Sequence, residues 1–171
     1  MNVIAFDPGK ATGVALFVPN IRNHIQYDEH ESFQLDNGFV GVSRFLTYGE
    51  GGSVRLETKY LDGNNDNALY RFDAVVCESF SVRQGTHKMD QGAFMDVWSN
   101  IGAIRYAAFL AGVPFHLQSP AEAKSFGTND KLHALSWYKG APGHADDASR
   151  HLLTFLAKQR DPEILERLTA P

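Results

Sequence analysis

Cysteine is nearly absent from this chain of 171 residues: Cys77 stands alone, so no disulfide can form within it. That excludes the disulfide-stapled class of small secreted domains and fits a reducing, cytoplasmic setting. A thiol nucleophile needs an activating base, and no histidine lies close to Cys77 in sequence, so it reads as a buried structural thiol. Apolar runs of membrane-spanning length are lacking too, which excludes a transmembrane helix and a membrane partner. The first residues lack the basic, then apolar, then small-residue order of a secretory signal, and their apolar stretch is already used as a strand. A basic excess is also missing, the formal net charge being −4. That speaks mildly against a nucleic-acid binder, because phosphate backbones favour a basic face. No internal repeat and no flexible linker interrupts the chain, so residues 1–171 are expected to form a single domain. Its 43% hydrophobic content is enough for a real core.

What is present is a set of acids at the ends of apolar runs. Residues 3–6, Val-Ile-Ala-Phe, read as a buried strand that runs into Asp7-Pro8-Gly9; Gly13 then turns the chain back into Val14-Ala15-Leu16-Phe17. Asp7 is thereby placed at a sheet edge, where a rigidly held carboxylate suits a divalent cation. Asp-Pro-Gly reads equally as an ordinary turn. A second run of β-branched residues leads through Val75, Val76 and Cys77 into Glu78. Near the carboxyl end, Gly143-His144-Ala145-Asp146-Asp147-Ala148 opens a helical pattern carried on by Leu152, Phe155 and Leu156. His144 and Asp147 are three apart, which puts both on one helix face. Together these residues make a carboxylate-rich site of the kind that holds magnesium or manganese.

Strand-Asp-Pro-Gly-x-x-x-Gly, strand-Glu and helical His-x-x-Asp-Ala, in that order, resemble the RuvC type of Holliday-junction resolvase in the RNase H-like nuclease superfamily. The resemblance runs from residue 1 to about 155 and includes Ser99-Asn100-Ile101-Gly102-Ala103-Ile104-Arg105 and the lysine segments around Lys124 and Lys131. It implies an α/β fold with a mixed five-stranded sheet flanked by helices. The implied activity is a divalent-metal-dependent endonuclease that hydrolyses branched DNA as a crossover junction endodeoxyribonuclease. Two Mg2+ or Mn2+ ions per active site would be held by Asp7, Glu78, His144 and Asp147, and two such ions would cancel the net charge of −4. Lys124 and Lys131 are implied at the scissile phosphate, where a cation neutralises developing charge; both also read as solvated surface lysines. The family's stacking aromatic lies one residue beyond Phe80, at Ser81, so Phe80 reads either as a base-stacking platform or as core. A homodimer, with one active site on each of two opposed strands of a junction, is implied as well. Short divergent chains of this kind resemble bacteriophage versions, which would place the protein in a bacterial host's cytoplasm.

The rest of the pattern is read from the residues. Ser119, Pro120 and Glu122 form a capping box that starts a helix carrying Lys124; Gly127 ends it, and Thr128 caps a second helix through Lys131, Leu132, Leu135 and Trp137. Residues 89–112 read as the longest helix, with Phe94, Val97, Trp98, Ile101, Ile104 and Ala108 as its apolar stripe. Residues 114–117 supply a short strand, 25–33 a third strand of the opening meander, and 53–60 a further possible strand; Phe39, Val42, Phe45 and Leu46 hint at a helix. Arg83, His87 and Lys88, with Lys124, Lys131 and Lys139, form a basic rim around the acids, and Arg83 and Lys88 are expected to touch DNA. Asp146 reads as a first-turn acid of the late helix and as the substitute ligand for Asp147. His151 reads as a packing or surface histidine.

Other function classes remain in view. A non-catalytic DNA-binding or assembly protein on an RNase H-like fold needs no convergence of the acids, and a general RNase H-like nuclease needs no junction selectivity. An actin-like ATPase shares the opening strand-Asp-x-Gly pattern but needs a second equivalent domain. Gly9-Lys10-Ala11-Thr12 is similar to the tail of a P-loop but lacks the earlier glycine at the required spacing.

Overall fold

A computed structural model describes residues 1–19, 29–48, 72–80, 91–140 and 143–169. Its strands are β1 (Val3–Asp7), β2 (Thr12–Phe17), β3 (His30–Leu35), β4 (Ala74–Glu78) and β5 (Phe115–Gln118). Its helices are α1 (Gly38–Tyr48), α2 (Gln91–Ala111), α3 (Pro120–Phe126), α4 (Asn129–Ala134), α5 (His144–Lys158) and α6 (Pro162–Thr169). The sheet runs in the order β3-β2-β1-β4-β5, antiparallel across β3-β2-β1 and parallel across β1-β4-β5. This is the mixed five-stranded sheet with flanking helices that the sequence predicts.

Strand alternation divides the apolar residues into two cores. Val3, Ala5, Ala15, Phe17, Ala74 and Val76 face one side, where Ala148, Leu152, Leu153 and Leu156 of α5 cover them. Ile4, Phe6, Val14, Leu16, Val75 and Cys77 face the other, against Val42 and Phe45 of α1 and Ile101, Ile104 and Ala108 of α2. The central strands are thus buried on both faces, as expected of near-continuous apolar runs. The same alternation decides where the acids point. Asp7 follows Val3 and Ala5, and Glu78 follows Ala74 and Val76, so both belong to the α5 side.

Several local expectations hold and several shift. Ser119 Oγ accepts from the Glu122 N–H, but the Glu122 carboxylate accepts from Lys158 Nζ, so only one arm of the capping box is made. Thr128 caps α4, which ends at Ala134; Leu135 and Trp137 are buried beyond it, because Ser136 at φ 60° breaks the helix. Trp98 leaves the core stripe of α2 and is 47% exposed. The third strand starts at His30, and its predicted first residues, 25–28, lie outside the described residues, as does the strand expected at 53–60. Cys77 is fully buried on the α1 and α2 side, and burial pushes its thiol well above the ordinary cysteine range. Among the described residues no helix is long and apolar enough to cross a membrane.

Candidate functional site

Three adjacent parallel strands end side by side. Glu78 pairs with Gln118 across β4 and β5, and Asp7 lies one step beyond the Phe6–Cys77 pair of β1 and β4. Neighbouring strands are about 4.8 Å apart, so Asp7, Glu78 and Gln118 form one row under α5. The facing side chains come from α5 itself: His144, Asp147 and His151 recur at i, i+3 and i+7, one stripe of the helix.

Gly13 makes that approach possible. It pairs with Asp7 across the hairpin, and a Cβ there would lie 1.7 Å from the His144 carbonyl oxygen. Without a side chain at this position the first turn of α5 settles on the strand ends, bringing His144 Nδ1 to 2.5 Å from Asp7 Oδ2. On the opposite face Asn100 of α2 donates its amide hydrogens to the Gly9 carbonyl at 2.9 Å and to Thr12 Oγ1 at 3.2 Å, which ties down the β1–β2 turn.

Each acid is met by a base. Asp7 pairs with His144, and Glu78 Oε2 lies 2.9 Å from His151 Nε2. Asp147 takes Arg150 Nη1 at 2.6 Å and Lys124 Nζ at 3.3 Å. Burial pushes the Asp7 carboxyl above its ordinary range; the hydrogen bond from His144 opposes this, and the charges of Glu78 and Asp147 add to it. His144 is pushed up chiefly by its hydrogen bond to Asp7. The four residues Asp7, Glu78, His144 and Asp147 therefore share one electrostatic neighbourhood.

The other predicted site residues are distributed unevenly. Lys124 reaches this neighbourhood through Asp147, whereas Lys131 Nζ lies 3.6 Å above the ring centroid of Phe126, a cation–π contact. Asp146 is turned away: it is 5% exposed, and its Oδ1 accepts the Lys139 N–H at 3.1 Å. Phe80 is half-buried, edge-on to Phe94 at 5.4 Å and to Trp98 at 6.0 Å, and it packs against the α1 and α2 core. Arg83 and Lys88 lie outside the described residues.

Two neighbours escaped sequence reading. His151 is 1% exposed and bridges Glu78 and Gln118, neither a surface group nor simple packing. Its signal was its position one turn beyond Asp147 on the same face. Arg150 stands three residues beyond Asp147, the spacing that pairs side chains on one helix face, and its guanidinium also donates to Asn129 Oδ1 at the start of α4.

The carboxylate oxygens and the imidazole are hard to borderline donors that suit Mg2+ or Mn2+. Burial raises the Asp7 carboxyl most, and the charges of Glu78 and Asp147 add to it; a divalent cation would relieve that charge excess. As the side chains are turned, however, no three His, Cys, Asp or Glu among the described residues are placed to hold one ion. The donor chemistry of Asp7, Glu78, His144 and Asp147 fits such a cation.

No protein-family model matches the sequence, and no curated protein matches it. Solved structures do match. A Thermus thermophilus RuvC in complex with a Holliday junction substrate aligns at 19% identity and TM-score 0.54, over 93% of this chain and 96% of that one. A second Thermus thermophilus RuvC structure aligns at 18% identity and TM-score 0.50, over 94% and 97%. The chain thus has the fold of these RuvC structures, a mixed five-stranded sheet flanked by helices.

Proposed function

We propose that the protein is a divalent-metal-dependent endonuclease that cuts branched DNA, four-way junctions included. The observation that supports this most directly is the row of Asp7 and Glu78 at adjacent strand ends beneath His144 and Asp147, on a RuvC-like fold. Asp7, Glu78, Asp147 and His144 would hold the metal, which when bound supplies an activated water and stabilisation of the departing oxygen. The protein's own groups prepare that site. A hydrogen on His144 Nδ1 goes to Asp7, so in the neutral ring Nε2 carries the lone pair that can ligate or take a proton from water. Lys124 would turn from Asp147 to a phosphate oxygen, meeting charge that develops during cleavage. Lys131, Arg83, Lys88 and Phe80 are proposed as further DNA contacts.

The α2 face supports a homodimer. Met95, Trp98, Tyr106 and Phe109 are exposed along it, 62%, 47%, 62% and 76% respectively, and such a row of large apolar groups favours burial against a second copy. Two-fold symmetry would place two sites on a symmetric junction. The test is a cleavage assay with four-way junction, three-way junction, flap and linear duplex in Mg2+ or Mn2+. Metal-dependent cutting that prefers branches is expected; equal cutting of linear duplex would leave a nuclease without junction selectivity.

A second reading, a non-catalytic DNA-binding protein on the same fold, is favoured by one observation: the acids are each occupied by a base, and no three ligands converge among the described residues. Mg2+ titration of the wild type against Asp7→Asn separates the two. Only the nuclease predicts saturable metal binding that the substitution removes.

A further inference from the structure

The helix stripe of α5 carries a third polar residue below the two proposed ligands. His151 is wholly buried, its Nδ1 lies 2.8 Å from Gln118 Oε1, and its Nε2 lies 2.9 Å from Glu78 Oε2. Gln118 is itself buried and sits beside Glu78 in the sheet register, so the ring is clamped between two neighbouring strand ends. Leu152 and Leu153 follow it into the core on α5. A buried imidazole with a specific partner on each nitrogen is a built feature, since an apolar residue would pack there without needing either contact.

An ionised carboxylate only accepts, so the nitrogen facing Glu78 must carry the hydrogen. The Gln118 amide meets Nδ1 with its oxygen or with its NH2 group, and it therefore accommodates either state of that atom. The hydrogen on Nε2 is the element common to both.

We propose that His151 is a positioning residue: aimed by Gln118, it donates Nε2–H to Glu78 and fixes the plane of that carboxylate at the strand end. The inference rests on the proposed nuclease reading, because it assigns the orientation of one of its ligands. Partners of this kind, which hold a ligand rather than touch the metal, typically account for 10- to 100-fold in metal affinity or activity.

The test has two independent parts. Long-range 1H–15N NMR on the intact protein reads the tautomer of His151; a hydrogen on Nε2 is expected, and a ring protonated on Nδ1 alone overturns the proposal. Calorimetric titration with Mn2+ compares wild type with His151→Leu, His151→Gln and Gln118→Leu. The two leucine variants are expected to bind Mn2+ roughly 10- to 100-fold more weakly, with partial recovery in His151→Gln, whose amide NH2 can reach toward Glu78. Binding to a four-way junction without metal should stay unchanged in all of them. Wild-type Mn2+ affinity in folded leucine variants overturns the positioning role; should His151→Leu fail to fold, Gln118→Leu and the tautomer decide. A wild type that neither binds Mn2+ nor cuts any DNA overturns the nuclease reading instead, and the positioning role falls with it.

Discussion

Asp146 and Asp147 are adjacent acids with opposite fates, and the helix decides between them. A step of one residue turns a side chain by about 100° around an α-helix, so Asp147 joins His144 and His151 while Asp146 is carried to the Lys139 N–H. Asp7→Asn, Glu78→Gln and Asp147→Asn are each expected to reduce metal-dependent cleavage at least about 100-fold in a metal-clamp mechanism. The fold should survive, because neutralising one clustered acid relieves repulsion on the others. Asp146→Ala should do the reverse, losing about 0.5–1.5 kcal/mol of stability with its hydrogen bond to the Lys139 N–H while the folded fraction keeps its turnover. Circular-dichroism melts beside single-turnover cleavage check both; an inactive, fully stable Asp146→Ala would exchange the roles of the two acids. Lys124→Ala is expected to slow single-turnover cleavage far more than it weakens binding, as befits a cation aimed at transition-state charge.

Among the elements, α5 is the one on which both the core and the site depend, and its seat on the sheet is narrow. Gly13→Ala forces a Cβ into the His144 backbone and is expected to cost about 1–3 kcal/mol of unfolding free energy. It should also loosen the His144–Asp7 contact, so cleavage should fall in protein that is still folded by denaturant titration. Where β3 meets α5, His30 stacks on Trp137 at 4.2 Å and contacts Ser149 Oγ at 3.1 Å. Burial lowers its pKa to about 3, so the unfolded chain takes up the proton first as the pH falls. That contribution to stability is therefore intact above about pH 6.5 and is lost between there and about 3. The loss from pH 7 to 5 is about 2 kcal/mol by linkage. His30→Phe, which keeps a ring on Trp137, should show a pH 7 to pH 5 drop in stability smaller by that amount; an unchanged pH profile would mean that His30 titrates normally.

For the whole molecule, the balance of charge sets how DNA can be bound. A net charge of −4 opposes binding to a polyanion as a whole, so affinity should rest on local phosphate contacts around the sheet edge, shape and symmetry. A homodimer is expected by sedimentation or light scattering, and Trp98→Glu with Tyr106→Glu on the exposed α2 face should give a monomer. The junction preference should weaken in that monomer while residual metal-dependent nicking persists. A monodisperse wild-type monomer that still prefers four-way junctions would remove symmetry as the source of selectivity.

Strand and helix identity were legible in the residues themselves, because periodicity and punctuation are local. β1, β4 and α5 carry their apolar repeats in plain view, and Asp7, Glu78 and His144 sit at their ends. Alternation along β1 and β4 even dictates that both acids share the α5 side. Contacts between distant segments were decided only by tertiary structure. The His151 bridge joins residues 33 and 73 positions away, and its meaning depends on β5 lying beside β4, which no local pattern states. Lys124 and Lys131 read alike as early-helix lysines, yet packing of α3 against α5 carries one to Asp147 and leaves the other over Phe126. Gly127 marked a helix end in sequence. With φ at −81°, its lack of a side chain serves the close approach of Arg150 rather than a left-handed turn. A sequence encodes which residues are apolar, polar or turn-forming, whereas partner choice across the fold follows from strand order and from the distance at which a helix can settle on a sheet.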